Sequence, residues 1–322
     1  RDEMGEIAQL DEEVTKAPPG LEALSATAKL ARQPAFMDDN HIEVLIDGVN
    51  TFNAMLEGIA RAKKYVLFQS YIIRADEIGE RFADALIKKA LEGVSVRVLY
   101  DGVGTTLHRK YLKKLRKAGV QICRFNSTKF STFNIQINFR NHRKLLVIDG
   151  STAFLGGLNV GDDYLGKYPK VGPWRDTHCR IEGPAATTAQ LSFVKDWFWA
   201  ADEMIQLDWH IDPVENGEKA LVLHTGPADK GETALLAHIA MVNAAEKRVW
   251  IANPYVVPPE GLANALELAV LRGVDVRILV PKKNDNLFVQ FASETYAEDL
   301  LEIGVKYYRY SKGSSWWISK LC

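Results

Sequence analysis

The sequence predicts an α/β protein made of two repeated halves, and three observations carry that prediction. Apolar β-type runs alternate with amphipathic helical patterns along most of the chain. Glycines follow the helical patterns where a left-handed stop is needed, as at Gly93 and Gly273. Three blocks of the first half recur in the same order in the second.

Taken in order, a polar lead-in over residues 1–40 contains a Pro18-Pro19-Gly20 break. Residues 42–64, "IEVLIDGVNTFNAMLEGIARAKK", read as a short strand, a turn at Asp47-Gly48 and an amphipathic helix. A buried strand is expected over 66–73, then a helix over about 78–91 that ends at Gly93. The strand "VSVRVLYD", the basic helix "HRKYLKKLRKAG" and the strand "VQICRF" complete the first series. In the basic helix, Tyr111, Leu112, Leu115 and Ala118 share one face and the cations take most of the rest.

The second half repeats this order, and three blocks agree in detail at a nearly constant offset. "ALIKKALEGVSVRVL" matches "ALELAVLRGVDVRIL", "LRKAGVQICRF" matches "LLEIGVKYYRY", and "VLFQSYI" matches "VWIANPYV". Any two βαβ units share glycine stops and apolar strands, but polar positions such as Arg97/Arg277 and Arg124/Arg309 also agree, which favours duplication. The domain boundaries follow: the lead-in 1–40, a first half with a linking segment over 41–230, and a second half over 231–322. Within the linking segment, 160–230, Phe193, Trp197 and Phe198 recur at helical spacing and are expected in a core.

With 40 Lys and Arg against 41 Asp and Glu, the formal net charge is -1, so an anion-binding site must be local and a nucleic-acid partner is not expected. Cys123, Cys179 and Cys322 are too few and too scattered for a disulfide framework or a zinc cluster. No apolar run reaches the roughly 20 residues of a membrane-spanning helix. The first residues, "RDEMGEIAQLDEEV", lack the pattern of a signal peptide, and the start at Arg1 suggests that upstream residues have been lost.

The chemistry concentrates in residues 138–159, "NFRNHRKLLVIDGSTAFLGGLN". His142 and Lys144, two apart on a strand, point to one face. An imidazole can attack phosphorus, and a neighbouring lysine supplies a point charge for phosphate oxygens. A carboxylate such as Asp149 can orient an imidazole. The bland alternative is that Asn141 to Lys144 form a solvated strand entrance and that Asp149-Gly150 is only a hairpin turn. Gly156 and Gly157 would let backbone approach a ligand, and Asn159 offers an amide donor.

That block resembles the first HKD motif of the phospholipase D superfamily, and "LYDGVGT", "GPWRDTHCRIEGP" and "FQSYII" resemble bacterial cardiolipin synthases in particular. The resemblance covers residues 42–310 and implies a phospholipase D-like fold of two pseudo-symmetric halves, each a mixed β-sheet flanked by helices. It implies that His142 is the nucleophile, that Lys144 and Asn159 bind phosphate with Asn141 and Gly157 beside the substrate, and that Asp149 orients a histidine. The reaction implied is phosphatidyl transfer between phospholipids, with phosphatidylglycerol as donor, cardiolipin as product and glycerol released, through a phosphohistidine and with no cofactor or metal. Phospholipids are the partners implied, at the cytoplasmic face of the membrane; the basic helix from His108 to Gly119 could lie on an anionic membrane surface or be the solvated face of an ordinary crossover helix. Hydrolysis by a phospholipase D or nuclease, and a catalytically dead lipid-binding fragment, are the rival readings.

The chain departs from the family pattern after "GVKYYRY", where Trp316 and Ile318 stand near the places of a second histidine and lysine. The second half is therefore read as cut short before its motif, with unpaired sheet edges, and two copies that each supply His142 would form a shared site. Asp162-Asp163 is given little weight as a metal pair. Asp176 and His178, two apart, could line the pocket if they lie on a strand, though a satisfied structural pair is the more common case. His41, His210, His224 and His238 are assigned nothing.

Overall fold

The computed structural model describes residues 16–125, 140–168, 173–226, 232–282 and 287–310. In chain order the elements are helix α1 (Glu22–Leu30), strand β1 (Met37–Ile46), α2 (Asp47–Arg61), β2 (Tyr65–Ser70), α3 (Glu77–Leu91), β3 (Ser95–Asp101), α4 (Arg109–Lys117) and β4 (Gln121–Phe125). The hairpin β5 (Leu145–Ile148) and β6 (Thr152–Gly156) follows, then a 3-10 turn (Asp162–Leu165), β7 (Thr177–Glu182), α5 (Ala186–Ala201) and β8 (Glu218–Ala220). The second half contributes α6 (Thr233–Ala244), β9 (Arg248–Ala252), α7 (Glu260–Leu271), β10 (Asp275–Pro281), α8 (Leu287–Glu302) and β11 (Lys306–Tyr310).

The first sheet has eight strands in the order β4-β3-β2-β5-β6-β7-β1-β8. Its β2, β3 and β4 run parallel through crossover helices, and the remaining neighbours pair antiparallel. Leu146, Ile148, Val66, Phe68, Val96 and Val98 point to one face, where Phe52 and Met55 of α2, Phe82 of α3 and Leu115 of α4 cover them. Leu67, Leu99, Leu145 and Val147 point the other way, against Phe193, Val194 and Trp197 of α5. Such burial on both faces explains why β5 and the first four residues of β2 are continuously apolar instead of alternating. Each large side chain so buried contributes about 1.5–3 kcal/mol.

The second sheet is a three-stranded parallel ladder, β11-β10-β9, and it repeats β4-β3-β2 in register. Val66 pairs with Val96 and Val249 with Val276, while Arg97 pairs with Gln121 and Arg277 with Lys306. Even the turn bonds correspond: the N–H of Ser95 donates to the Lys64 carbonyl and that of Asp275 to the Lys247 carbonyl, both at 3.0 Å. Gly93 and Gly273 sit at φ +91° and +83°, the left-handed stop that a side chain would strain.

Three details depart from the expectations above. The segment read as a linker carries β7 and β8, which belong to the first sheet, so only its ends link. Phe193 and Trp197 are buried but Phe198 is 47% exposed, because α5 turns that side away from the sheet. The part of the second sheet described is parallel throughout, not mixed. Trp316 and Ile318 lie outside the described residues.

Candidate active site

The site lies at the carboxyl ends of the parallel strands β2 and β3, where the chain turns out of the sheet. Residues 71–73 leave β2 and are pinned by side chains on all sides. The Thr105 hydroxyl donates to the Tyr71 carbonyl at 2.8 Å and accepts the Ile73 N–H at 2.9 Å. The Ile72 N–H donates to Asn159 Oδ1 at 3.0 Å, and Asn159 Nδ2 donates to the Tyr164 hydroxyl at 2.6 Å. Asn159 is therefore held on both sides of its amide, which fixes its remaining N–H in direction.

Onto this loop comes the entrance to β5. His142 and Lys144 precede the strand, which starts at Leu145, so they are not strand neighbours as expected. The reason is Asn141. Its N–H donates to Asp101 Oδ2 at 2.9 Å and its Nδ2 to Asp196 Oδ2 at 2.7 Å, which pulls the backbone out of the ladder. His142 is left exposed while Asn141 and Lys144 are buried. The His142 ring stacks on Tyr71, centroids 3.9 Å apart and planes 16° from parallel. Lys144 reaches back, its Nζ donating to the His142 carbonyl at 2.5 Å and lying 5.4 Å from the Tyr71 ring centroid. This is a cation–π contact on the ring that carries the imidazole.

Behind them Asp196 of α5, itself 8% exposed, gathers the entrance. Its carboxylate accepts from Gln69 Nε2, Asn141 Nδ2 and Arg143 Nη1, each at 2.7 Å. Arg143 Nη2 then donates to the Thr225 carbonyl at 3.0 Å, so the same cation fastens the segment that leads to the second half. Three donors, one of them charged, satisfy this buried carboxylate.

Under Lys144 lies a buried row across β6 and β7. Gly156 pairs with His178, and a Cβ on Gly156 would stand 2.3 Å from His178 Nδ1, so only glycine admits that imidazole. Burial, with Lys144 adding to it, lowers His178 to about 3 and keeps it neutral. Its Nδ1 accepts the Leu158 N–H at 3.4 Å. Burial pushes Asp176 up to about 7, against the opposing pull of the Thr177 N–H, the Trp174 indole and the charges of Lys144 and Arg175. Both side chains thus lie buried near Lys144, but His178 Nε2 has no hydrogen-bond partner among the described residues, so the two do not form the satisfied pair that was expected.

Of the residues singled out by sequence, the structure brings His142, Lys144, Asn141 and Asn159 to this end of the sheet. Gly157 joins them through its N–H to the Thr177 carbonyl at 3.3 Å. It does not bring Asp149 there. The Asp149 carboxylate accepts the N–H groups of Lys63, Lys64 and Tyr65, each at 2.8 Å, at the opposite end of β2. Six residues of β2 separate the two ends, roughly 20 Å at strand rise. Asp149 and Gly150 also form the β5–β6 turn, with φ +51° and +76°. Asp162 and Asp163 are structural as well: the first accepts the Glu77 and Ile78 N–H groups and the second pairs with Arg74 at 2.9 Å. Tyr71 and Asp196 are the residues that sequence reasoning missed. A lone carboxylate on the apolar face of a helix was the available signal for Asp196.

A cavity of about 470 Å³ lies along β9, lined by Trp250, Val256, Leu262 and Met241 among others, and holds none of the residues around His142. No helix among the described residues is long and apolar enough to cross a membrane.

Residues 55–168 and 238–319 match the family model described as cardiolipin synthase, PLD-like domain. The chain is 45% identical over 292 residues to cardiolipin synthase A of Pseudomonas fluorescens, covering 90% of this chain and 61% of that protein. It is 42% identical over 297 residues to cardiolipin synthase A of Pseudomonas aeruginosa, covering 91% and 60%. The chain thus spans about three-fifths of the length of these curated relatives. Phosphatidylserine synthase of Haemophilus influenzae superposes with a TM-score of 0.62 at 16% identity, over 92% of this chain and 78% of that one, a likeness of fold alone.

Proposed function

The chain belongs to the cardiolipin synthase, PLD-like domain family, and on that premise we propose that it is a phosphatidyltransferase acting between phospholipids. The observation that carries this reading is the placement of one exposed imidazole, His142, on a fixed aromatic platform with a lysine directly behind it. The other histidine nearby, His178, is buried and neutral, so the nucleophile is His142.

In the proposed reaction a His142 ring nitrogen attacks the phosphorus of phosphatidylglycerol. A P–N bond forms, the P–O bond to glycerol breaks, and the glycerol oxygen takes up a proton as it leaves. The free hydroxyl of a second phosphatidylglycerol then attacks the same phosphorus, gives up its proton and displaces His142. Two phosphatidylglycerol molecules become cardiolipin and glycerol, with atoms and protons in balance. Lys144 supports the charge on the phosphate oxygens, and Asn159 and the Gly157 backbone line the approach. The repeated ladder supports a division into halves over 41–230 and 231–322, and a phospholipid substrate supports work at a membrane surface.

The test is mass spectrometry of the chain after brief incubation with phosphatidylglycerol and an acid-free quench. A phosphatidyl adduct on wild type and none on His142→Ala is the expected result. An adduct that survives the substitution would overturn the assignment. Release of phosphatidic acid instead of cardiolipin would replace transfer with hydrolysis.

A further inference from the structure

Helix α4 carries its charge on one side. At about 100° per residue, Arg109, Lys110, Lys113, Arg116 and Lys117 fall within an arc of about 120°, opposite the buried Tyr111 and Leu115. All five are exposed. The sixth cation, Lys114, lies off that arc and pairs with Glu80 and, at 3.4 Å, Asp84 of α3. The first turn of α4 holds no acidic residue.

The internal repeat supplies a control for what the fold itself demands here. Residues of α4 correspond to residues 185 positions later in α8, since Gln121 and Lys306 hold equivalent ladder positions. Tyr111 corresponds to Tyr296 and Leu115 to Leu300, so the inward positions are kept. Of the five stripe residues, Arg109, Lys113 and Lys117 correspond to Glu294, Glu298 and Glu302, and Lys110 and Arg116 to Thr295 and Leu301, so none of the outward cations is kept. A crossover helix in this fold needs a polar face but not a cationic one. The stripe answers to something outside the chain.

Its position indicates what that is. The loop from Gly102 to His108 joins α4 to Asp101, whose carboxylate holds Asn141 beside His142, so α4 starts at the site end of the sheet. Val103 in that loop is 58% exposed, and the exposed Arg124 donates to the Gly102 carbonyl at 2.9 Å, adding a cation beside it. Cations in a line with an apolar side chain at their head, and no exposed aromatic residue among them on α4, suit anionic headgroups better than stacked bases.

We infer that the face of α4 formed by Arg109, Lys110, Lys113, Arg116 and Lys117 lies on an anionic lipid bilayer and holds the His142 end of the sheet against it. The inference rests on the phospholipid reading of the site, and its test needs no chemistry. The chain carrying His142→Ala is floated with vesicles of phosphatidylglycerol in phosphatidylcholine, and with phosphatidylcholine alone. Reversal of four stripe residues (R109E, K113E, R116E, K117E) lowers binding to the anionic vesicles by roughly tenfold or more. Reversal of Arg61, Arg81 and Lys88, exposed cations of α2 and α3, changes it less than about twofold. The glutamine version of the stripe gives an intermediate loss with an unchanged melting temperature, which separates surface charge from misfolding. Wild-type binding to anionic vesicles falls with added salt. Equal binding by the stripe variant and its parent overturns the inference, as does a stripe variant whose solution mass changes while vesicle binding does not, since a second copy would then be the partner. Absence of a His142 adduct would count against the enzymatic reading alone.

Discussion

The Tyr71 ring lies flat on the His142 imidazole at 3.9 Å, and Lys144 stands over the same ring at 5.4 Å. One aromatic side chain therefore orients both halves of the H-x-K pair. An exposed imidazole without such a platform samples several rotamers, and only some aim its nitrogen at a bound phosphate.

Replacing Tyr71 with Phe keeps the ring and is expected to leave the rate of adduct formation within about twofold. Tyr71→Ala removes a contact of about 0.5–1.5 kcal/mol and slows adduct formation about three- to tenfold, at similar binding of phosphatidylglycerol. Single-turnover kinetics followed by mass spectrometry reads both. Equal loss in the two variants would show that the hydroxyl, not the stack, matters.

Asp196 holds Gln69, Asn141 and Arg143 together, and its removal strands a largely buried guanidinium. Asp196→Ala is expected to cost about 3–5 kcal/mol in urea unfolding, and Asp196→Asn less. The double variant Asp196→Ala/Arg143→Ala recovers at least about 1 kcal/mol relative to additivity. Additive losses would show that the two side chains are not coupled.

Asp149 accepts three backbone N–H groups and touches nothing around His142. Asp149→Ala should destabilise the fold by about 2–4 kcal/mol, from lost charged hydrogen bonds and a left-handed backbone that alanine resists. Asp149→Asn, which tolerates that backbone, costs less. In both, the folded fraction forms the His142 adduct at the wild-type rate. A loss of adduct without a loss of stability would return Asp149 to the chemistry.

His178 and Asp176 make opposite contributions to pH dependence. The imidazole is lowered from 6.5 to about 3 on folding, so the stability it contributes is present above pH 6.5 and is lost as pH falls below it. The carboxyl is raised from 3.8 to about 7, so its contribution is present below pH 3.8 and is lost as pH rises through 7. Between about pH 4 and 6.5 the two slopes oppose. Relative to wild type, His178→Gln should gain stability as pH falls through that window and Asp176→Asn should lose it, each by up to about 1.4 kcal/mol per pH unit. Parallel pH profiles for all three proteins would refute this.

The repeat and the strands were legible in the sequence because they depend on local signals. A glycine after an apolar helix, as at Gly93 and Gly273, and continuous apolar runs in β2 and β5 need no tertiary knowledge. His142 and Lys144 were legible as residues brought to one place, but their strand geometry was not, since Asn141 is drawn aside by Asp101 and Asp196, 40 and 55 residues away. Asp149 misled for a related reason. Its spacing from His142 is short along the chain but runs the length of a strand in space. Tyr71 and Asp196 carry no motif, because what defines each is a partner more than fifty residues distant.

A chain that writes one ladder twice also offers itself two ways to assemble it. The matching registers of β2-β3-β4 and β9-β10-β11 mean that backbone hydrogen bonding cannot tell a native strand from its duplicate during folding. The crossover helices can. In the native arrangement Lys114 of α4 meets Glu80 and Asp84 of α3, whereas α8 set in the same berth would bring Asp299 against those two carboxylates. At this position the charge reversal between the duplicated helices therefore sets a like-charge contact against the exchange that the sheets alone would accept.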